Sequence, residues 1–296
     1  MSDSLSSALK ALANYRANNT RASQDIFDKG TVVLREGQAV IGDEGWAFLE
    51  QLALAAIDIG RLDVADASSL FSGYDARFLN SPRVDVLTGI RMEATESPTI
   101  VLQYYHELLQ EDSANAAIWK RRISVIRRMG MYEKAVEELS QFLDTFYTDL
   151  EGWLELADIY SSCNQYTSAL QALSHALLLA PQNPFTVLQF AETAYTAGDL
   201  PLALKMFLVV VDMGERDLLK GEAPTSINVR AWLGVKLCSR RLVSSPTVPS
   251  ASQTPVPKTI KLIDELAAER VLTSYSGKQG PGAKQMSDWM SIASTS

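Results

Sequence analysis

Cysteine and histidine are nearly missing from this 296-residue sequence, each occurring twice, as Cys163, Cys238, His106 and His175. Two cysteines so far apart offer neither a disulfide framework nor a zinc set, and they point to a reduced compartment. Both histidines fall in apolar runs of predicted helices. No Cys, Ser or Asp stands at a spacing that would complete a nucleophilic or metal constellation, so partly buried or surface histidines are expected. Long apolar runs are missing too. The most apolar stretch, Ala176–Ala180, is broken by His175 and Pro181, well short of the ~18 residues of a spanning helix. The N-terminus, MSDSLSSALKALANYRANN, lacks the basic start and apolar core of a signal peptide, so a soluble intracellular protein is expected. The Asn18-Asn19-Thr20 sequon is then expected to stay unused. A basic excess is also lacking: 27 Lys and Arg face 35 Asp and Glu, a net charge of −8 that disfavours nucleic acid as a partner. GKQGPG (277–282) mimics a glycine-rich phosphate loop, but no strand precedes it.

What is present is an ordinary globular balance, 47% hydrophobic and 21% charged, carrying a repeat. Residues 150–183 place Trp153, Leu156, Ala157, Tyr160, Ala169, Leu173, Ala176 and Pro181 at the spacing of a tetratricopeptide hairpin of about 34 residues. Trp119 and Trp153 stand 34 apart. Ala135, Ala169 and Ala203 share a small-residue column, Leu139, Leu173 and Phe207 a bulky one, and Gly130, Asn164 and Gly198 the turn between paired helices. The frame extends backward through Gly89, Val101, Tyr105 and Leu108, and through Trp46, Ala53, Gly60, Leu62 and Ala65. The expected fold is therefore all-α, a tetratricopeptide-type solenoid, a right-handed superhelix of helix hairpins. Residues 1–45 read as an N-terminal helix pair packing on the solenoid, with helices over 4–18 and 21–41, the second ended near Gly37. Residues 46–217 read as five hairpins: 46–81, 82–115, 116–149, 150–183 and 184–217. Residues 218–275 form a diverged terminal hairpin with a mobile Pro/Ser-rich loop at 244–257. The tail 276–296 is expected to be disordered, although Met286, Trp289, Met290 and Ile292 could dock.

In such a frame the first helix of each hairpin faces a concave surface. Its candidate partner-binding residues are Lys120, Arg127, Glu151, Leu154, Asp158, Phe185, Leu188, Glu192 and Tyr195. Apolar side chains interspersed with charges suit helical or extended protein segments better than a small molecule. The basic run Lys120, Arg121, Arg122, Arg127 and Arg128 reads either as a solvated face balanced by Glu133, Glu137 and Glu138, or, at Lys120 and Arg127, as a contact for an acidic partner or anionic headgroups. Glu151, Glu155 and Asp158 share a helix face that could gather a cation, but such a stripe is more often solvated or partner-facing. No catalytic, cofactor or metal residue is assigned.

Four segments carry a further resemblance: SPRVDVLTGIRMEA (81–94), YYHELLQEDSANAAIWKRRI (104–123), GWLELADIYSSCNQYTSALQALSHALLLAPQNP (152–184) and NVRAWLGVKLC (228–238). The chain resembles the subunit 2 family of the endoplasmic reticulum membrane protein complex over roughly residues 5–275. The resemblance implies a non-catalytic scaffold, peripheral on the cytosolic face of the reticulum. It would contact cytosolic parts of membrane-embedded subunits and a soluble partner subunit, in a complex that inserts tail-anchored and multi-spanning proteins. The loop at 244–257 and the Gly-rich tail depart from the family. A rival adaptor reading, a co-chaperone clamping a C-terminal carboxylate, needs Lys and Asn at set positions. Here they read Lys120, Ser124, Glu155, Phe185 and Gln189, and an acidic group in such a place repels a carboxylate. A helical-repeat enzyme is the other rival, and no His/Cys/Asp constellation supports it.

Overall fold

A computed structural model of the chain describes residues 3–36, 45–64, 81–215, 227–245, 249–276 and 281–291. Among them every regular element is a helix and there is no strand. The chain divides into two compact units, Met1–Glu138 and Leu139–Ser296.

The first unit opens with α1 (Asp3–Ala17), α2 (Ser23–Glu36) and α3 (Gly45–Asp58). Leu5, Ala8 and Leu12 of α1, Ile26, Phe27 and Val33 of α2, and Phe48, Leu49 and Leu52 of α3 recur at helical spacing and close into one buried cluster. Polar links fix the order of the three. Arg21 at the α1–α2 turn grips the Asp58 carboxylate through Nε (2.9 Å) and Nη2 (2.5 Å), and Ser23 Oγ donates to the same carboxylate at 2.6 Å. Tyr15 Oη donates to Asp25 at 2.6 Å, and Lys29 pairs with the same acid. The two N-terminal helices occupy Asp3–Ala17 and Ser23–Glu36, beside the spans 4–18 and 21–41 read from spacing. The position proposed for the end of α2, Gly37, and the second helix of the first hairpin, with Ala65, lie outside the described residues.

Two Ser-Pro pairs start the next hairpin, α4 (Pro82–Thr95) and α5 (Pro98–Glu111), where proline at the first turn presets the helical φ. Its bulky slot is filled by Tyr105, which is fully buried against Gly89. α6 (Ala116–Arg128) follows, capped by Asn115, whose side chain accepts from the Ile118 amide at 3.2 Å. It buries Ile118, Ile123, Val125 and Ile126. The division between units falls within α7 (Tyr132–Thr145).

The second unit contains α8 (Leu150–Ser162), α9 (Tyr166–Leu179), α10 (Pro184–Thr196), α11 (Leu200–Glu215), α12 (Ile227–Ser244), α13 (Ile260–Tyr275) and α14 (Pro281–Ser291). Asp149 caps α8 by accepting from Gly152 N at 2.7 Å. Ala169, Leu173 and Ala203 have no exposed surface, as the repeat columns predict. The turn column behaves likewise: Gly130 (φ 76°), Asn164 (φ 59°) and Gly198 (φ 88°) are all left-handed, a conformation costly for most side chains. One core joins α10 to α13, with Leu188, Leu204, Phe207, Trp232, Val235 and Val271 inside it. A buried ion pair closes α12 on α13: Lys236 Nζ meets Asp264 Oδ2 at 2.7 Å, and Ser239 Oγ donates to Oδ1 at 2.9 Å.

Two irregular segments make contacts of their own among the described residues. The described part of the 244–257 loop does not hang free; Ser250 and Ser252 are tied to Asp199 at the start of α11, and Val256 packs on the core. The tail is helical over Pro281–Ser291, because Met286 and Met290 recur at four-residue spacing and find that same core. The Arg240 guanidinium covers the Trp289 ring at 5.2 Å. Ile292 lies outside the described residues.

Candidate partner-binding faces

The predicted basic residues lie on α6 in the first unit. Most of their charge is spoken for within the unit. Arg121 forms a two-pronged bond with Glu93 of α4 (2.9 and 2.7 Å), and Arg128 approaches the same carboxylate at 3.7 Å. Arg122 pairs with Glu138 at 2.8 Å, in keeping with the reading of a face balanced by its own acids. Lys120 and Arg127 are half-buried. The buried Tyr105 hydroxyl donates to Glu93 at 2.6 Å. Burial, followed by the Glu93 carboxylate, pushes this phenol well above its ordinary range. Glu93, which binds Tyr105, Arg121 and Arg128 together, is therefore a structural hub.

Beside this network is a cleft of about 800 Å³ that the spacing of residues does not announce. Its walls come from the α1–α2 turn, α3, α4 and α6, with Arg21, Asp58, Leu54, Ile90, Arg121 and Arg128 among them. The Arg21 guanidinium holds Asp58 below the usual carboxylate range, so the pair is charged on both sides at neutral pH. Only the folding of α1 and α2 onto α3 brings these positions together, so no local motif could have flagged the cleft.

In the second unit, Glu151 and Asp158 of α8 are exposed and Leu154 is half-buried. Phe185, at the start of α10, is 69% exposed, an unusual state for so large an apolar side chain. Three of the predicted residues are committed internally. Leu188 is 5% exposed and belongs to the core, so it does not line an open face as expected. Its turn of α10 is covered by the helices that follow. Glu192 accepts two bonds from Arg230 of α12, at 2.6 and 2.8 Å. Tyr195 lies under the Arg241 guanidinium at 5.2 Å. The part of the predicted face left at the surface is Glu151, Asp158 and Phe185, with Leu154 half-buried.

Nothing among the described residues forms a group of three or more His, Cys, Asp or Glu side chains able to hold a metal. His106 shares a hydrogen bond with Gln110, and His175 stacks on Trp153 at 4.2 Å; both are exposed. Burial pushes the Cys238 thiol up to about 12, which keeps it neutral and unreactive, and Cys163 is exposed. No described helix is long and apolar enough to cross a membrane.

These helix pairs, with alanine at their close approaches and left-handed turns between them, define an all-α protein of the tetratricopeptide solenoid class. The C-terminal part of a TPR repeat-containing protein from Cytophaga hutchinsonii has a similar fold, with a TM-score of 0.55 at 13% identity. It covers 94% of this chain and 98% of its own. The family model described as the EMC2 TPR-like repeat domain matches residues 79–205. The ER membrane protein complex subunit 2-B of Xenopus laevis is 34% identical over 238 residues, 79% of this chain and 76% of its own. The TPR repeat protein oca3 of Schizosaccharomyces pombe is 31% identical over 217 residues, 71% of this chain and 72% of its own. The chain belongs to the ER membrane protein complex subunit 2 family.

Proposed function

We propose that this chain is a non-catalytic scaffold subunit of an ER membrane protein complex. It lies peripherally on the cytosolic face of the endoplasmic reticulum and holds other subunits in place for the insertion of tail-anchored and multi-spanning proteins. The observation that carries this reading is the reach of the relationship. The likeness to the Xenopus laevis subunit runs over 238 residues, whereas the repeat model spans 79 to 205, and a repeat protein of another kind would share the hairpin pattern alone. The exposed Phe185 with Glu151 and Asp158 nearby in the frame suits a partner segment with an apolar anchor and basic residues. The same acids disfavour a clamp for a C-terminal carboxylate.

The test is affinity purification of the tagged full chain in mild detergent, followed by mass spectrometry. A stoichiometric set of membrane subunits is expected. Recovery of cytosolic chaperones in their place, or robust catalysis by the purified chain alone, overturns the proposal. Reversing the charges of Lys120 and Arg127 together is expected to weaken subunit recovery; unchanged recovery removes those two residues from the interface.

A further inference from the structure

The strap formed by residues 249–257 is built around a row of hydroxyls that ends on a single buried acid. Asp199 is 5% exposed. Its Oδ1 accepts from Ser250 Oγ at 2.8 Å and its Oδ2 accepts from the Ser252 amide at 2.8 Å. Ser250 Oγ also lies 3.0 Å from Ser252 Oγ, and Ser252 Oγ lies 2.7 Å from Thr254 Oγ1. The Thr254 amide closes the turn by donating to Ser250 Oγ at 3.1 Å. Gln253, between them, takes a left-handed φ of 56°.

Each hydroxyl has one proton to give. Ser250 gives its proton to the carboxylate, so Ser252 must donate to Ser250 and Thr254 must donate to Ser252. The relay runs one way, from Thr254 at the rim to Asp199 in the interior, and Thr254 must remain a donor for its outermost link, to Ser252, to hold. Thr254 is half-exposed, Ser252 is exposed, and Pro255 follows Thr254 directly. A threonine followed by proline in a non-helical, accessible segment is the general substrate shape of proline-directed protein kinases. Beneath the strap is a cleft of about 480 Å³, in which Thr254, Pro255 and Pro257 face Leu204, Lys205 and Leu208 of α11.

We propose that Thr254 is a phosphorylation site and that its modification releases the strap from α11. The donor is ATP. The bond between its γ-phosphorus and the bridging oxygen breaks, a bond from that phosphorus to Thr254 Oγ1 forms, ADP leaves, and the hydroxyl proton passes to the kinase base. The product oxygen can no longer donate to Ser252. It also carries a charge of about −1.5 to −2 next to a relay that ends on a carboxylate, so attraction becomes repulsion. Release uncovers the face of α11 that Thr254, Pro255 and Pro257 now screen. Lys205 provides the opposing possibility, since it lines the same cleft and could hold a phosphate in place; the experiment is chosen to separate the two.

The full-length chain is treated with Mg-ATP and a proline-directed kinase already shown to phosphorylate a peptide of residues 248–258. The site is mapped by mass spectrometry, and hydrogen exchange is followed at the Ser252 amide. Phosphate on Thr254 is expected, with exchange at Ser252 faster by about tenfold or more. Thr254→Val, which keeps the shape and loses the donor, should take no phosphate at this position and show a smaller acceleration. A folded chain left unmodified while the peptide is modified overturns the proposal. So does a phosphorylated chain whose Ser252 amide exchanges at the same rate or more slowly.

Discussion

Replacing Gly89 with alanine tests how tightly α4 and α5 are fitted together. An added Cβ would stand 2.3 Å from Tyr105 Cε1, 2.5 Å from its hydroxyl oxygen and 2.7 Å from Cζ. Carbon atoms normally meet at about 3.5–4.0 Å, so the ring would have to shift by roughly an ångström. Tyr105 has no exposed surface into which it could swing, and its hydroxyl is held by Glu93 at 2.6 Å. Overpacking of this kind costs about 1–3 kcal/mol, and breaking a bond to a charged acceptor costs about 1.5–3 kcal/mol more. Alanine returns about 1 kcal/mol through its better helix propensity. The expected net loss is about 1.5–5 kcal/mol. It would be read from urea titrations followed by circular dichroism, with hydrogen exchange across α4 and α5 assigning the loss to the first unit. In a Tyr105→Leu background the clash and the hydroxyl bond are both gone. There, Gly89→Ala should be neutral or stabilise by up to about 1 kcal/mol. A stable single variant, or the same penalty in both backgrounds, refutes the reasoning.

Three other outcomes follow from the geometry. Arg121→Ala leaves Glu93 and Tyr105 short of their charged partner and should cost about 1.5–3 kcal/mol in urea unfolding, with Arg121→Lys restoring only part because it cannot reproduce the two-pronged bond. Gly198→Ala meets no atom within 4 Å, yet its φ of 88° should still cost about 1–2 kcal/mol, whereas Asn164→Gly at φ 59° should stay within about 0.5 kcal/mol of the parent. Asp199→Ala removes both the strap anchor and the cap of α11, where Oδ1 also accepts from the Leu202 amide at 3.3 Å, at about 2–3 kcal/mol by the same assay. Burial alone would raise Asp199, but the bonds from Ser252 and Ser250 overcome it and hold the acid below its ordinary 3.8. A depressed folded value means that its contribution is complete above the unfolded value and is lost as pH falls through the folded one. Exchange protection at Ser252 should therefore persist at neutral pH and fade below about pH 4.

The residues that could be placed from spacing alone are those whose role is set by neighbours in their own hairpin. Ala169, Ala203 and Leu173 belong to this group, since the close approach of paired helices selects for size at fixed intervals. Gly130, Asn164 and Gly198 do as well, because a short turn between helices demands a left-handed residue. The candidate faces were less legible. Leu188 and Phe185 are both apolar residues of one helix start, and only the later helices decide that the first is buried at 5% and the second exposed at 69%. Glu192 reads as a free acid until Arg230 reaches it from α12. Asp199 and Ser250 are 51 residues apart, so their bond leaves no periodic trace.

The amino-acid sequence by itself determined the class of the protein. A 34-residue period of bulky and small residues imposes helix hairpins, and the specific segments around it mark the subunit 2 family. Tertiary structure alone decided which charges are tied within the fold. Glu93, Arg121 and Arg122 become internal ties, Leu188 becomes core, the strap is anchored on Asp199, and the C-terminal helix docks through Met286 and Met290. The physical reason is that burial and ion pairing depend on elements far apart in the chain, whereas the period of a helix and the sign of a turn's φ are settled within a few residues.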